Sequence, residues 1–390
     1  MTPHELLDRV RRRTLQLLIA DDGDLDYRTA ERQAAREIAT IERLKPKTVA
    51  VQTTPVQEDR GADPKAQLLR KLETIARCLS QPLGQAAGSA GVDQARNHSL
   101  AERLALLPAP RRLNIIQALT NEQALDVFHD WEGFWARPKQ LAPAGDWSTW
   151  VLRAGRGFGK TRTGAGWVQE RALQHPGRWI ALVARTPADA RDYMIEGPGG
   201  FLRNVHPKVA PVYEVSKRRL TWPNGSWATI YSDDEPDQLR GFSGDTAWLD
   251  EFAKFQNPEQ TWTNLEFGMR EASNDRPRKV VTTTPRPIPI LKRIERLPST
   301  VVVTGTSHEN RSNLDPRWFA DTISRHEATR IGRQEIRAEI LEDVPGALWT
   351  RAMLDQARLN CGVIDGIRRA SPRARDYFDD AESSYAIGIA

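Results

Sequence analysis

The sequence predicts an α/β fold, a mainly parallel sheet flanked by helices, and three observations carry that expectation. An apolar run, Trp150-Val-Leu152, leads into a glycine-rich stretch that ends in Lys160-Thr161. A second run, Thr246-Ala-Trp-Leu249, ends in two adjacent carboxylates, Asp250 and Glu251. From Trp131 onward, short β-branched and aromatic runs alternate with helical periods, the rhythm of βαβ units.

Taken in order, residues 1 to about 45 place Leu6, Leu7, Val10, Leu15, Leu17 and Leu18 among charges, which predicts a small helical element. Residues 46–64 are polar and carry prolines, and 84–97 are rich in Gly, Ala and Ser; both read as linkers. Between them 65–79 reads as one helix, and 100–119 as a pair of helices. Strands are expected at 151–153 and 179–184, each followed by a helix. Residues 219–222 and 227–231 flank Asn224-Gly225, which predicts a hairpin inserted in the parallel sheet. The strand of Asp250 follows, then 279–284 and 300–304, and a long charged helical stretch over 318–341 predicts a small lid subdomain. The expected layout is a helical extension over 1–98, a core over 99–312, a lid over 313–350 and a tail or truncated further domain over 351–390. No chemistry can be read in 1–98, where a partner-binding or oligomerisation role and a plain helical extension both fit.

The glycine-rich stretch Ala154-Gly-Arg-Gly-Phe-Gly-Lys-Thr161 fits the P-loop pattern, except that Ala154 stands where the first glycine is usual. Gly155, Gly157 and Gly159 let successive backbone N–H groups turn inward, and the helix that follows aims its positive end at the same place. Lys160 would then reach the β- and γ-phosphates of ATP, and the Thr161 hydroxyl would help complete a magnesium shell. A glycine-rich surface turn is the bland alternative. The acids about ninety residues on weigh against it, because a buried strand ending in Asp250 supplies a second magnesium ligand and Glu251 a base for the attacking water. Together they specify a P-loop NTPase of the ASCE type.

Composition sets outer bounds. Hydrophobic residues make up 39% and charged residues 27%, and no apolar run nears the roughly eighteen residues a membrane span requires. The N-terminus shows no basic-then-apolar signal pattern, so a cytoplasmic protein is expected. Cys78 and Cys361 are too few and too far apart for a disulfide framework or a zinc site. A net charge of +5 permits a polyanionic partner. The basic clusters at Arg11–Arg13, Lys217–Arg219 and Arg368–Arg369 fit solvated faces or phosphate contacts.

The segments Gly155-Arg-Gly-Phe-Gly-Lys-Thr-Arg-Thr-Gly-Ala-Gly-Trp167, Leu239-Arg-Gly-Phe-Ser-Gly-Asp-Thr-Ala-Trp-Leu-Asp-Glu251 and Thr282-Thr-Thr-Pro-Arg286, in this order, resemble the large terminase subunit of tailed bacteriophages and prophages. Trp131-Glu132, Phe134-Trp-Ala-Arg-Pro-Lys-Gln140 and Glu309-Asn-Arg-Ser-Asn-Leu314 extend the resemblance over residues 100–350. It implies an ATP-driven motor that threads double-stranded DNA into a procapsid, ringed on a portal protein and served by a small terminase subunit in the bacterial host's cytoplasm. It also implies roles for single residues. Arg156 would help hold the γ-phosphate, though a solvent-facing loop side chain is the alternative. Arg240 would be an arginine finger toward a neighbouring subunit, and an ion pair within one subunit explains it as well. Thr283, within Thr282–Thr284, would couple γ-phosphate loss to the lid, against a run favoured only by β-propensity. Gln140 would read adenine, against an ordinary loop glutamine.

The resemblance further implies a C-terminal metal-dependent nuclease, for which the residues after Leu348-Trp-Thr350 leave little room; no cleavage is expected of this chain. Asp376, Asp379, Asp380 and Glu382 read as a solvated acidic tail. A helicase-like ATPase and a non-catalytic prophage remnant are the rival readings.

Overall fold

The computed structural model describes residues 3–20, 26–42, 63–80, 97–271, 276–327 and 329–341. Contacts group Met1–Ile340 into one unit and Leu341–Ala390 into a second, of which only Leu341 is described. The linker stretches 46–62 and 84–96, Cys361, Arg368, Arg369 and the acids of the tail lie outside the described residues.

Eight strands form one sheet: β1 Thr149–Ala154, β2 Trp179–Ala184, β3 Val212–Glu214, β4 Arg219–Thr221, β5 Trp227–Ser232, β6 Thr246–Asp250, β7 Arg278–Thr283 and β8 Thr300–Gly305. Their order is β3-β4-β5-β2-β6-β7-β1-β8, with β5, β2, β6, β7, β1 and β8 mutually parallel. The hairpin differs from expectation: β5 runs parallel to β2 as a full member of the sheet, and β4 and β3 widen its edge antiparallel. Its Asn-Gly turn forms as expected, with Gly225 at φ +85° and Trp222 N–H donating to Ser226 O at 2.8 Å.

Strand periodicity sends alternate residues to opposite faces. Trp150, Leu152 and Ala154 of β1 join Trp248 and Val280 in a cluster with Ala165, Val168 and Ala172 of the helix Lys160–Gln174. Val151, Leu249 and Val281 face the other way, with Trp262 and Leu265 of the helix Pro258–Gly268 and Ile290, Leu291 and Ile294 of the helix Pro289–Glu295. Full burial of each large side chain contributes about 1.5–3 kcal/mol, so the two faces fix the strand register from both sides. The helix Lys160–Gln174 comes very close to the sheet at Gly164, where an added Cβ would lie 2.1 Å from the Trp248 ring.

The helices Pro3–Ala20, Tyr27–Glu42 and Pro64–Ser80 pack with Leu100–Ala105, Ala109–Ala118 and Asn121–His129 around a cluster that includes Leu15, Leu68, Leu72, Ile116 and Val127. Ser99 with Glu102 and Thr120 with Gln123 form capping boxes that start two of these helices. Arg11 and Arg12 tie the first helix to Asp126 and Asp130 at 2.7 and 2.9 Å. The stretch expected as helical over 318–341 runs helical over 316–326, with a π-turn at Phe319–Ile323 between Pro316–Trp318 and Ser324–His326, and resumes as a separate helix Arg330–Glu335. Thr329 starts the last piece by accepting from Gly332 N–H, which gives the chain a fresh N-cap where a helix would have run on. Phe319, Ile323 and Ile336 close a small cluster of their own. Among the described residues, no helix is long and apolar enough to cross a membrane.

Candidate active site

The loop after β1 carries Gly157 at φ +74° and Gly159 at φ +98°, the left-handed region that glycine enters without penalty. Ala154, by contrast, is an ordinary β1 residue paired with Gly305, so the pattern's missing first glycine leaves no backbone demand unmet. Lys160, 7% exposed, opens the helix and folds back over the loop. Its Nζ donates to Ala154 O at 3.0 Å and Gly155 O at 3.4 Å, and lies 3.5 Å from Glu251 Oε1. Thr161 follows on the first helical turn, half-buried.

Asp250 ends β6 in register with Thr282 of β7, and β7 lies between β6 and β1. Thr282 Oγ1 donates to Asp250 Oδ1 at 2.6 Å and accepts from Trp248 Nε1 at 2.8 Å. Burial, with the neighbouring Glu251 charge, pushes the Asp250 carboxyl up to about 6. Glu251 has φ +52°, a left-handed conformation uncommon for a residue with a side chain. Its carboxylate lies between two ammonium groups: Lys160 near Oε1 and Lys254 Nζ 3.4 Å from Oε2. Burial raises the Glu251 pKa, but Lys160 and Lys254 together carry it below the usual range. Thr284 Oγ1 donates to Oε2 at 3.3 Å, while Thr283 Oγ1 accepts from Ala253 N–H at 3.0 Å and donates to Thr284 O.

Other sequence candidates lie elsewhere or face other partners. Arg156, 68% exposed at its side chain, pairs with Glu335 Oε2 at 2.8 Å, and its N–H donates to Glu335 O at 2.6 Å. Arg240 pairs with Asp237 at 3.0 Å in the turn Pro236–Gly241; it is not in hydrogen-bond or ion-pair contact with Lys160, Asp250 or Glu251. Gln140 turns inward, donating to Thr163 Oγ1 at 3.1 Å and Phe158 O at 3.4 Å and accepting from Arg137 N–H at 3.2 Å. In the basic cluster beside the hairpin, Lys217 pairs with Glu214 at 2.7 Å and Arg219 stacks over Trp227. Gly155 leaves no room for a side chain, since a Cβ there would meet the Ile336 and Glu335 carbonyls at 2.6 and 2.7 Å.

Several site residues were not singled out by the sequence reading. Lys254 stands three residues after Glu251, a spacing that could have suggested an ion pair. Thr282, rather than Thr283, contacts Asp250, as strand alternation on β7 requires. Arg137, Ser307 and Asn310 all reach the loop; Arg137 and Asn310 fall in segments that carry the family resemblance, which gave them no role, and Ser307 lies outside them. The oxygen set of Thr161 and Asp250, a hydroxyl and a buried carboxylate, suits magnesium, and the left-handed glycine loop with Lys160 suits a phosphate chain.

Residues 151–356, just over half of the chain, match the family described as terminase large subunit, T4likevirus-type, N-terminal. The chain is also similar to the ATPase domain of the Thermus phage P74-26 large terminase, at 17% identity over 56% of this chain and 97% of that one, with a TM-score of 0.41. A second similar structure is the large terminase of another thermophilic bacteriophage in complex with ADP, at 14% identity over 55% of this chain and 52% of that one, with a TM-score of 0.40. No curated protein matches.

Proposed function

The chain belongs to the T4likevirus-type terminase large-subunit family, and on that premise we propose that it is an ATP-hydrolysing motor subunit that moves double-stranded DNA into a procapsid. The observation that carries the reading is the meeting of Lys160 and Glu251 at 3.5 Å, one from the loop after β1 and the other from the end of β6. In this reading 99–312 form the ATPase core and 313–350 the lid, with 1–98 an extension of unassigned role and 351–390 either a tail or the start of a nuclease-like region.

Lys160 and the loop amides bind the phosphates of ATP. Thr161 and Asp250 would hold magnesium, which would supply neutralisation of charge on the phosphate oxygens. Thr282 orients the Asp250 carboxylate through its 2.6 Å hydrogen bond. Glu251, kept ionised by Lys160 and Lys254, accepts a proton from the attacking water, and its left-handed backbone is the kind of local strain that clusters at active sites. Arg156 exchanges Glu335 for the γ-phosphate, and Arg240 reaches a neighbouring subunit in an assembled ring. Thr283 passes the loss of phosphate toward the lid, and Gln140 reads the adenine. DNA is gripped through its phosphates with weak sequence preference, and the portal and small terminase subunit are the protein partners, met at the procapsid in the cytoplasm of a bacterial host.

Steady-state ATP hydrolysis with and without linear duplex DNA tests this reading. Turnover stimulated by DNA and abolished in Lys160→Ala is expected, and Glu251→Gln should retain ATP binding while losing at least about a hundredfold in rate. A Glu251→Gln chain as fast as the parent would refute the base assignment. ATP bound but never turned over, with DNA or without it, would mark a non-catalytic remnant instead.

A further inference from the structure

Three successive carbonyls of the P-loop accept hydrogen bonds from side chains outside it; three of these bonds are short, and Gln140 Nε2 adds a longer one to Phe158 O at 3.4 Å. Ser307 Oγ donates to Arg156 O at 2.6 Å, Asn310 Nδ2 donates to Gly157 O, and the Arg137 guanidinium donates to Phe158 O at 2.6 Å. A peptide unit is planar and trans, so its C=O and the following N–H point in opposite directions. Holding the carbonyls of 156, 157 and 158 therefore sets the directions of the Gly157, Phe158 and Gly159 amides. Left alone, a segment with glycine at 155, 157 and 159 samples many orientations, and the entropy lost on ordering it would subtract from phosphate affinity.

The three side chains are themselves fixed. Arg137 is 4% exposed, its guanidinium lies 5.0 Å over the Phe158 ring and also donates to Asn310 Oδ1. That same oxygen accepts from Asn313 Nδ2 at 2.9 Å, which leaves the Asn310 amide one orientation in which Nδ2 faces Gly157 O. Lys139 and Glu309 pair at 2.9 Å, joining the two stretches that carry the clamp. Ser312 donates to Glu102, which anchors the second stretch to the helix Leu100–Ala105.

We infer that Arg137, Ser307 and Asn310 are positioning residues that preorganise the P-loop amides for an anionic phosphate by pinning the loop's carbonyls. The inference rests on the proposed nucleotide site and adds to it a task for segments 137–140 and 307–313. The chemistry is general: a planar, forked guanidinium aims its donors in fixed, divergent directions at acceptors on two segments while stacking on an aromatic ring, as Arg137 does, whereas a lysine ammonium is a compact donor on a flexible stem that does not hold that geometry.

The test uses the full chain, with calorimetric titration of ADP in magnesium, thermal unfolding without nucleotide, and amide hydrogen exchange of residues 155–160. Asn310→Asp keeps the size and the acceptor for Arg137 but cannot donate to Gly157 O; Ser307→Ala and Arg137→Lys remove the other two contacts. Each variant should bind ADP about tenfold more weakly, one hydrogen bond's worth, with faster loop exchange and a melting temperature near the parent's. Binding within twofold of the parent overturns the inference, as does weaker binding that merely follows a lowered melting temperature while loop exchange stays unchanged. If the parent itself binds no ADP, the proposed nucleotide site fails. The clamp is then decided by exchange alone, and unchanged loop exchange in Asn310→Asp and Ser307→Ala overturns it.

Discussion

Replacing Thr282 by valine probes the junction between β6 and β7 with almost no change of shape. In a fully buried place the hydroxyl donates to Asp250 Oδ1 at 2.6 Å, with Leu249 O a longer acceptor at 3.2 Å, and accepts from Trp248 Nε1 at 2.8 Å. A hydrogen bond to a charged group is worth about 1.5–3 kcal/mol, and an orphaned buried N–H costs about 1–3 kcal/mol. Because both contacts share one oxygen they do not simply add, and a net loss of about 2–4 kcal/mol is expected. At about 1–1.5 °C per kcal/mol for a chain of this size, thermal unfolding followed by circular dichroism should show a fall of about 2–6 °C. Thr284→Val is the control, since its hydroxyl only reaches Glu251 Oε2 at 3.3 Å; its loss should stay below about 1 kcal/mol. Equal shifts in the two variants, or a Thr282→Val chain within about 1 °C of the parent, would refute the reasoning.

Three other perturbations separate packing from electrostatics. Gly164→Ala should lower the melting temperature by about 1–4 °C, because overpacking against the buried Trp248 ring outweighs the roughly 1 kcal/mol that alanine gains in a helix; a rise would deny the close approach. Glu335→Gln breaks the ion pair with the exposed Arg156, and a surface pair of this kind should move the melting temperature by less than about 3 °C. Glu170, lifted from its ordinary 4.5 to about 7 by burial and the nearby Glu132, holds its proton more tightly folded than unfolded. Its stabilising contribution is whole below about pH 4.5 and lost as pH rises through 7, so Glu170→Gln should raise the melting temperature at pH 8 by about 2–5 °C and leave it nearly unchanged at about pH 4. An equal rise at both pH values would rule out titration as the cause.

Legibility in the sequence followed the range over which each feature is determined. Lys160, Asp250 and Glu251 could be read because a loop motif and a strand end are local, and the structure brings two of them to 3.5 Å. The parallel core was legible from β-branched runs, but β3 is three residues long, too short for any period to show. The stretch 318–341 reads as continuously helical because periodicity does not register the Thr329 cap that restarts it. Glu251 in a left-handed conformation runs against residue preference, so nothing in the sequence foretold it. Arg137, Ser307 and Asn310 acquire meaning only when the chain returns to the loop over separations of 21, 151 and 153 residues.

Those separations also set an order of events during synthesis. Arg156 leaves the ribosome 179 residues ahead of Glu335, its ion-pair and backbone partner. At roughly 5–20 residues per second, the glycine loop waits on the order of 10–40 s for the last of the groups that surround it. A nascent chain stalled before residue 307 would have β1, β2, β6 and β7 available to pair, yet lack Ser307 and Asn310. The surroundings of the glycine loop are therefore completed only near the end of this unit's translation, so an unfinished chain has a sheet before it has an anchored loop after β1.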